Sequence, residues 1–461
     1  MCRRPVGFEG LYADDGVGNV PPVYGGAEVD LRSMRMIGGQ VKRPSNGRGT
    51  ILSRSAYTTM YYVAFICLYV NFIVGSVSML NNFEAFTPLL VLTASILLLT
   101  RIGLLNRGRP IGPVLVTISC IAIGGVSFLL SGESNILMLL MLAFGLGDIR
   151  GETILNLWLR MTLFVLLCMI AFVVLEPLTG LAPETVVRPE TGAVRHGLYF
   201  THPNTLGILL STFAISLSIV YGAAKRSIDV ICISIVAMAY IITDSKGALI
   251  MGGIYFVLKG MLARLRSRPS ELILCAIPSI CMAFTLLVVL GDLDSALFDV
   301  LQSILTGRPA LWRFQYEHVG MTLFGQRVIF GAVDCDGWHY TGITIDSAYA
   351  SYLVYIGIAS YAVFQFLYWR AQRGLYGDGG YRASAALAGI ALLGVVESSA
   401  INPILVVPLV YIGAYVDCHP KGRFSGCVEG MGPMLGKLCS TLRRIVLHAD
   451  DTRCDALSEN R

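Results

Sequence analysis

Charge is the scarcest property of this sequence. Asp, Glu, Lys and Arg make up 14% of its 461 residues, against roughly 25% in soluble domains, too little to cover a water-soluble fold. No glycine-rich loop follows a strand-like segment, so nothing indicates a phosphate-cradling α/β fold. No segment repeats, which argues against solenoids and duplicated halves. Residues 1–56 contain no apolar core behind a basic start; they are polar and rich in Gly, Arg and Pro. They read as a disordered cytoplasmic tail rather than a cleavable signal peptide. Of the 12 cysteines, only Cys335 falls clearly on the expected exterior, which excludes an extracytoplasmic disulfide framework. Cys418, His419, Cys427 and Cys439 lack the tight spacing of a zinc site. With no carboxylate cluster at metal-ligand spacing either, neither metal nor cofactor is expected.

Apolar sequence is abundant: 55% of residues are hydrophobic and mean hydropathy is +0.67. Apolar stretches of about 20 residues with few charges mark membrane-crossing helices. They fall at Tyr57–Val77, Thr87–Leu105, Ile111–Leu130, Asn135–Gly147, Leu155–Leu175, Asn204–Gly222, Ile228–Thr243, Gly247–Leu262, Leu272–Leu290, Ser347–Tyr368, Ala383–Val396 and Ile401–Val416. The fourth, eleventh and twelfth are short. The expectation is an all-α polytopic membrane helix bundle of about 12 transmembrane helices over residues 57–416, with a second cytoplasmic tail at 417–461. In that tail Leu435, Leu438, Leu442 and Val446 recur at helical spacing, as in a segment lying on a membrane surface.

Lys and Arg collect in cytoplasmic loops, which tests the orientation. With the amino terminus inside, the short inner loops carry Arg101, Arg107, Arg109, Arg150, Lys225, Arg226, Lys259, Arg264, Arg266, Arg268, Arg370, Arg373 and Arg382. The outer loops carry only Arg188, Arg195, Lys246, Arg308, Arg313 and Arg327, while Arg160 lies within the fifth stretch near its inner end. The alternation persists through every crossing and places both termini in the cytoplasm. The net charge of +5 is then a consequence of topology and requires no nucleic-acid partner.

Two outer loops, Glu176–Pro203 and Gly291–Asp346, are far longer than the rest, and loops of that length are commonly functional. They hold His196, His202, His318 and His339, four of the six histidines. The outer face leans acidic, so arginines kept there against the topological bias need a reason, and anion binding is the simplest. The first loop ends Arg195-His196-Gly197-Leu198-Tyr199-Phe200-Thr201-His202-Pro203-Asn204-Thr205-Leu206-Gly207. Pro203 suits a first helical turn, whose free N–H groups favour an anion. Asp244-Ser245-Lys246-Gly247 and Asp346-Ser347-Ala348-Tyr349 also precede outward-facing helix starts, although Ser245 and Asp346 serve equally well as N-caps. In the second loop, Leu293, Leu297, Leu301 and Ile304 describe an amphipathic segment along the outer interface. It precedes the turn Thr306-Gly307-Arg308-Pro309-Ala310-Leu311-Trp312-Arg313. Arg308 and Arg313 offer guanidiniums that match pyrophosphate oxygens bidentately, or that pair with Asp292, Asp299 or Glu317. Trp312, Trp338 and Tyr349 are among the aromatics that could stack on sugars or form an interfacial belt. Glu397, near the outer end of the eleventh stretch, is a candidate base or an interface-exposed carboxylate.

These four motifs, in this order and placement, resemble the bacterial O-antigen polymerase and ligase superfamily over roughly Leu155 to Val416. The resemblance implies a glycosyltransferase of the cell envelope in the bacterial plasma membrane, acting in capsule, O-antigen or exopolysaccharide synthesis. It would join undecaprenyl-pyrophosphate-linked repeat units outside the membrane, without metal, alongside other polysaccharide-export components. Ligases of this superfamily carry a histidine where this chain has Asp346, which favours a polymerase; His339, seven residues earlier, keeps the ligase alternative open. Arg195 and Arg308 would bind the pyrophosphate, supported by Lys246 and Arg313. Asp346, His202, His339 and Glu397 are the candidate bases. The rival class is a twelve-span transporter or flippase for lipid-linked oligosaccharide, whose site would lie near mid-bilayer at broken helices.

Overall fold

The computed structural model describes residues 54–416 except 181, 188–191, 193, 223–225, 265–266, 292–294, 329–332, 336–337 and 341–344. The expected tails, apart from Arg54 to Ala56, lie outside the described residues, with the cysteines at 418, 427 and 439, the leucine pattern, Arg188 and Leu293. Helices α1 (Arg54–Ser76), α2 (Thr87–Asn106), α3 (Ile111–Ser131), α4 (Asn135–Leu146) and α5 (Gly151–Thr179) come first. A hairpin of β1 (Glu184–Val187) and β2 (Val194–Leu198) leads into α6 (Pro203–Tyr221), α7 (Arg226–Thr243), α8 (Lys246–Leu262) and α9 (Arg268–Leu290). The second long loop contains α10 (Ser295–Ile304), α11 (Arg308–Val319) and the hairpin β3 (Val333–Cys335) with β4 (Trp338–Tyr340). The described residues close with α12 (Ala348–Ser351), α13 (Ile358–Gly377), α14 (Tyr381–Leu393) and α15 (Val410–Ala414).

The protein is a helical membrane protein. Six helical segments among the described residues are long and apolar enough to cross a bilayer, and three shorter ones are apolar. Apolar side chains are also turned outward: on α5, Phe164 is 68% exposed and Leu178 84%. Such contiguous apolar surface is rare on soluble monomers, and lipid is the medium that accommodates it. Hydrogen bonds set the helix directions, with α7 antiparallel and α8 parallel to α6. At one end of α6, Ser218 donates to Asp229 near the start of α7, and Lys259 near the end of α8 donates to Ser218. At the other, Asn204 reaches the turn after α14.

Two stretches expected to be single helices are not. The tenth breaks after α12 into a π-helical turn, Tyr352–Ile356, and Gly357 restarts the chain as α13. Its backbone is completed by the segment around Thr322 to Gln326. Leu353 and Tyr355 carbonyls accept from the N–H groups of Thr322 and Gln326, and Gln326 Nε2 donates to Val354 at 2.7 Å. The twelfth, Ile401–Val416, starts at the last residue of a 3₁₀ turn (Ser398–Ile401), continues through an irregular segment and a second 3₁₀ turn (Val407–Leu409), and reaches the five-residue α15. Nonhelical backbone at membrane depth persists only where protein supplies its partners, and here it does. Asn402 Oδ1 accepts from the N–H groups of Ile404 (3.0 Å) and Leu405 (3.1 Å), while Trp158 Nε1 donates to the Ile404 carbonyl at 2.7 Å. Asn402→Ala removes the acceptor from two backbone donors. It should cost about 1–3 kcal/mol for each donor left unsatisfied, seen as a lower thermal unfolding midpoint in detergent; an unchanged midpoint would contradict this role.

Candidate functional site

Three polar motifs meet around the turn after α14. Arg195 lies on β2, where Val186 opposes it, and its Nε donates to the Thr243 carbonyl at the end of α7 at 2.8 Å. Its Nη2 donates to Asn204 Oδ1 in the first turn of α6. The Asn204 amide passes the contact on, its Nδ2 donating to Glu397 Oε1 at 3.2 Å. From the opposite direction, Arg308 Nη2 lies 3.8 Å from the same Glu397 oxygen, and Arg308 Nε lies 3.5 Å from Asp346 Oδ2. Arg195, Asn204, Glu397, Arg308 and Asp346 thus form one connected set, although Arg195 and Glu397 are 202 positions apart in the sequence.

Local structure explains each placement. Thr306 and Gly307 adopt positive φ angles of 53° and 83°, reversing the chain between α10 and α11. Gln302 Oε1 then accepts from the Ala310 N–H, capping α11 from the preceding helix. Within this turn Arg308 Nη1 donates to Thr306 Oγ1 at 2.7 Å, which orients the remaining guanidinium edge toward the carboxylates. The start of α12 is pinned to the end of α14: the Ala348 N–H and the Ser347 hydroxyl both donate to the Gly394 carbonyl. Ser347 Oγ also accepts from the Ala350 N–H. Ser347, not Asp346, is therefore the N-cap, and the Asp346 carboxylate is left to face Arg308. Ser245 caps α8 as expected. A Cβ on Gly247 would stand 3.0 Å from Glu397 Cγ, so this position keeps α8 close to the carboxylate. Among the described residues, the three non-glycine residues with positive φ, Leu198, Asp244 and Thr306, all belong to these motifs; strained backbone tends to gather at functional sites.

Burial dominates the electrostatics of Glu397. Its side chain is 12% exposed. A pair at about 4 Å recovers roughly 4 kcal/mol at an effective dielectric of 20, whereas confining a carboxylate costs several kcal/mol. Burial pushes the Glu397 carboxyl up to about 7; Arg308 and Arg195 pull it down, and nearby Asp346 pushes it further up. Asp346 is also shifted upward by burial, against Arg308 and His202. Its side chain retains 41% exposure, so solvent screens that shift.

His202 precedes α6 without capping it and interacts electrostatically with Asp346. Lys246 opens α8 and is exposed, next to the glycine that touches Glu397. Three expectations are corrected. Arg313 does not share the Arg308 cluster: its Nη2 donates to the Val288 and Gly291 carbonyls ending α9, and its guanidinium lies 4.4 Å from the Phe298 ring. Trp312 is 0% exposed and Tyr349 2%, with the Tyr349 hydroxyl donating to Ala391. Both pack the interior and neither presents a face to a sugar. Trp338 and His339 have backbone in β4, but their side chains lie outside the described residues. Sequence reasoning missed Asn204; its signal was an amide directly after Pro203, where a helix start faces the outer motifs.

No family model, no curated protein and no solved structure matches this chain. The site therefore has to be read from its own chemistry. Because Glu397 is raised above the ordinary carboxylate value of 4.5, its contribution to stability is fully present below that value and is lost as pH rises through about 7. An isotope-edited infrared titration should show the protonated Glu397 carboxyl band disappearing near pH 7, and no such band in Glu397→Gln. A band already gone by pH 5 would contradict the buried placement.

Proposed function

We propose that this protein is a polysaccharide polymerase of the bacterial plasma membrane, joining undecaprenyl-pyrophosphate-linked oligosaccharide repeat units on the outer face. The reading includes twelve crossings, cytoplasmic termini and an outward-facing site. The observation that carries it is the gathering of Arg195, Arg308 and Asp346 around Glu397 from three separate motifs. In this reaction a sugar hydroxyl of one repeat attacks the anomeric carbon of another. The new glycosidic C–O bond forms, the bond to the pyrophosphate breaks, and undecaprenyl pyrophosphate leaves with the electron pair. The hydroxyl proton needs a base, and the leaving charge needs cations already in place. Arg195 and Arg308 are held for the second task, and Lys246 stands at the adjoining helix start. Asp346, free of capping duty and open to solvent, fits the first.

The rival reading is a transporter for the same lipid-linked oligosaccharide, favoured by the interrupted helix at Tyr352–Gly357. The segment around Thr322 to Gln326 satisfies that interruption, whereas the charged cluster gathers at helix ends. This distribution supports the enzyme. A glycan-length assay in a host lacking its own polymerase should give long ladders with wild type. Arg195→Ala, Arg308→Ala and Asp346→Asn should each lose ladder length, and Arg308→Lys should not restore it, because an ammonium cannot reproduce the guanidinium fork. Equal ladders from all variants would refute the site. Elongation by purified protein should persist in chelator; loss that Mg²⁺ reverses would contradict a metal-independent reaction.

A further inference from the structure

The arginines of this site are already engaged by the protein's own oxygens, carboxylates in the case of Arg308 and neutral acceptors in the case of Arg195. Arg308 faces Asp346 at 3.5 Å and Glu397 at 3.8 Å, and Arg195 reaches Glu397 through Asn204. Any incoming anion must enter a cluster in which one carboxylate oxygen, Glu397 Oε1, faces Arg308 directly and Arg195 by way of the Asn204 amide. We infer that a pyrophosphate diester binds here only by taking Arg308 from Glu397 and Arg195 from Asn204, while Glu397 accepts a proton from solvent, so that anion binding and proton uptake are one event. The inference rests on the pyrophosphate site proposed above and adds its coupling to protons.

Geometry supplies the argument. Glu397 Oε1 receives both the Arg308 contact and the Asn204 hydrogen bond. An anion seated between the guanidiniums therefore removes the attraction that keeps Glu397 ionised and adds repulsion in its place. Both changes favour the neutral acid, which is also the form that burial favours. Among the described residues, the cations that act on Glu397 are Arg308 and Arg195. The groups facing Glu397, among the described residues, are Arg195 from β2, Asn204 from the start of α6, Arg308 from α11 and Asp346 before α12. The start of α8 adds Gly247 at close contact, with Lys246 beside it. Asp346 is more exposed and can remain ionised in water, and His202 lies on its side of the cluster. Asn204 can keep its hydrogen bond to the neutral carboxyl, holding it in place until the anion leaves. The protonated Glu397 then stands beside the departing pyrophosphate as a proton donor that was absent before binding.

The test uses the full chain in detergent and dimethyl pyrophosphate, a diester whose two charges do not titrate near neutrality. Calorimetry in buffers of different ionisation enthalpy counts protons taken up on binding. Uptake should approach one per diester above pH 7, and apparent affinity should fall by up to about tenfold per pH unit there. In Glu397→Gln the uptake should vanish and binding above pH 7 should tighten, whereas Glu397→Asp should keep the uptake. Binding without uptake in the wild type overturns the inference, as does no binding at all. Uptake that survives in Glu397→Gln but disappears in His202→Gln also overturns it, by assigning the proton to the imidazole. If uptake is observed but no ladder forms in the glycan assay, the polymerase reading fails and the coupling stands. If ladders form without uptake, the reverse holds.

Discussion

A carboxylate enclosed among helices in a lipid-facing bundle must be neutral, or it must have cations arranged around it. Glu397 meets that condition by drawing several distant segments to one place. β2 brings Arg195, the first turn of α6 brings Asn204, the reversal before α11 brings Arg308, and Gly247 lets α8 approach. Moving any of these elements away would leave a charge without its partner. The cluster thus acts as a register mark for the bundle as well as the centre of the proposed chemistry.

The same accounting governs the rest of the interior. Arg101 is fully buried on α2 and donates to the Gly145 and Leu146 carbonyls, satisfying the open end of the short helix α4. Arg313 does the equivalent for α9. Asn402 and Gln326 complete backbone that no helix completes. These four side chains finish helix ends and interrupted backbone, and the interruptions are what bring the site residues to the helix ends. A bundle of uninterrupted helices would have no such place for Asp346 or Glu397.

Much of this was legible in the sequence. Scarce charge and long apolar stretches indicated a membrane helix bundle, and arginines standing against the topological bias pointed to Arg195 and Arg308. Asp346 and Glu397 were singled out from their expected position at outer helix ends. Other features were not legible, for physical reasons. Hydropathy measures burial or lipid contact, not helicity, so Ile401–Val416 looked like a span although its backbone is largely irregular. Arg313 sits five residues after Arg308 and looked equivalent to it, but a carbonyl at the end of another helix has no sequence signature. Trp312 and Tyr349 occupied an aromatic-rich loop and helix start, and composition does not distinguish a ring packed inside from one turned outward. Asp346 looked like the cap of its helix, but the backbone gives that role to Ser347.

The central claim is that Glu397 and the Arg308 guanidinium are partners in one cluster on which the site depends. A double-mutant cycle on thermal unfolding with Arg308→Met, Glu397→Gln and both together isolates their interaction from the effect of each change alone. Performed at pH 8, where Glu397 is ionised, the cycle should give a coupling of about 1 kcal/mol or more, and the coupling should fade by pH 5.5. Strictly additive effects at pH 8 would mean that the two residues do not share a site.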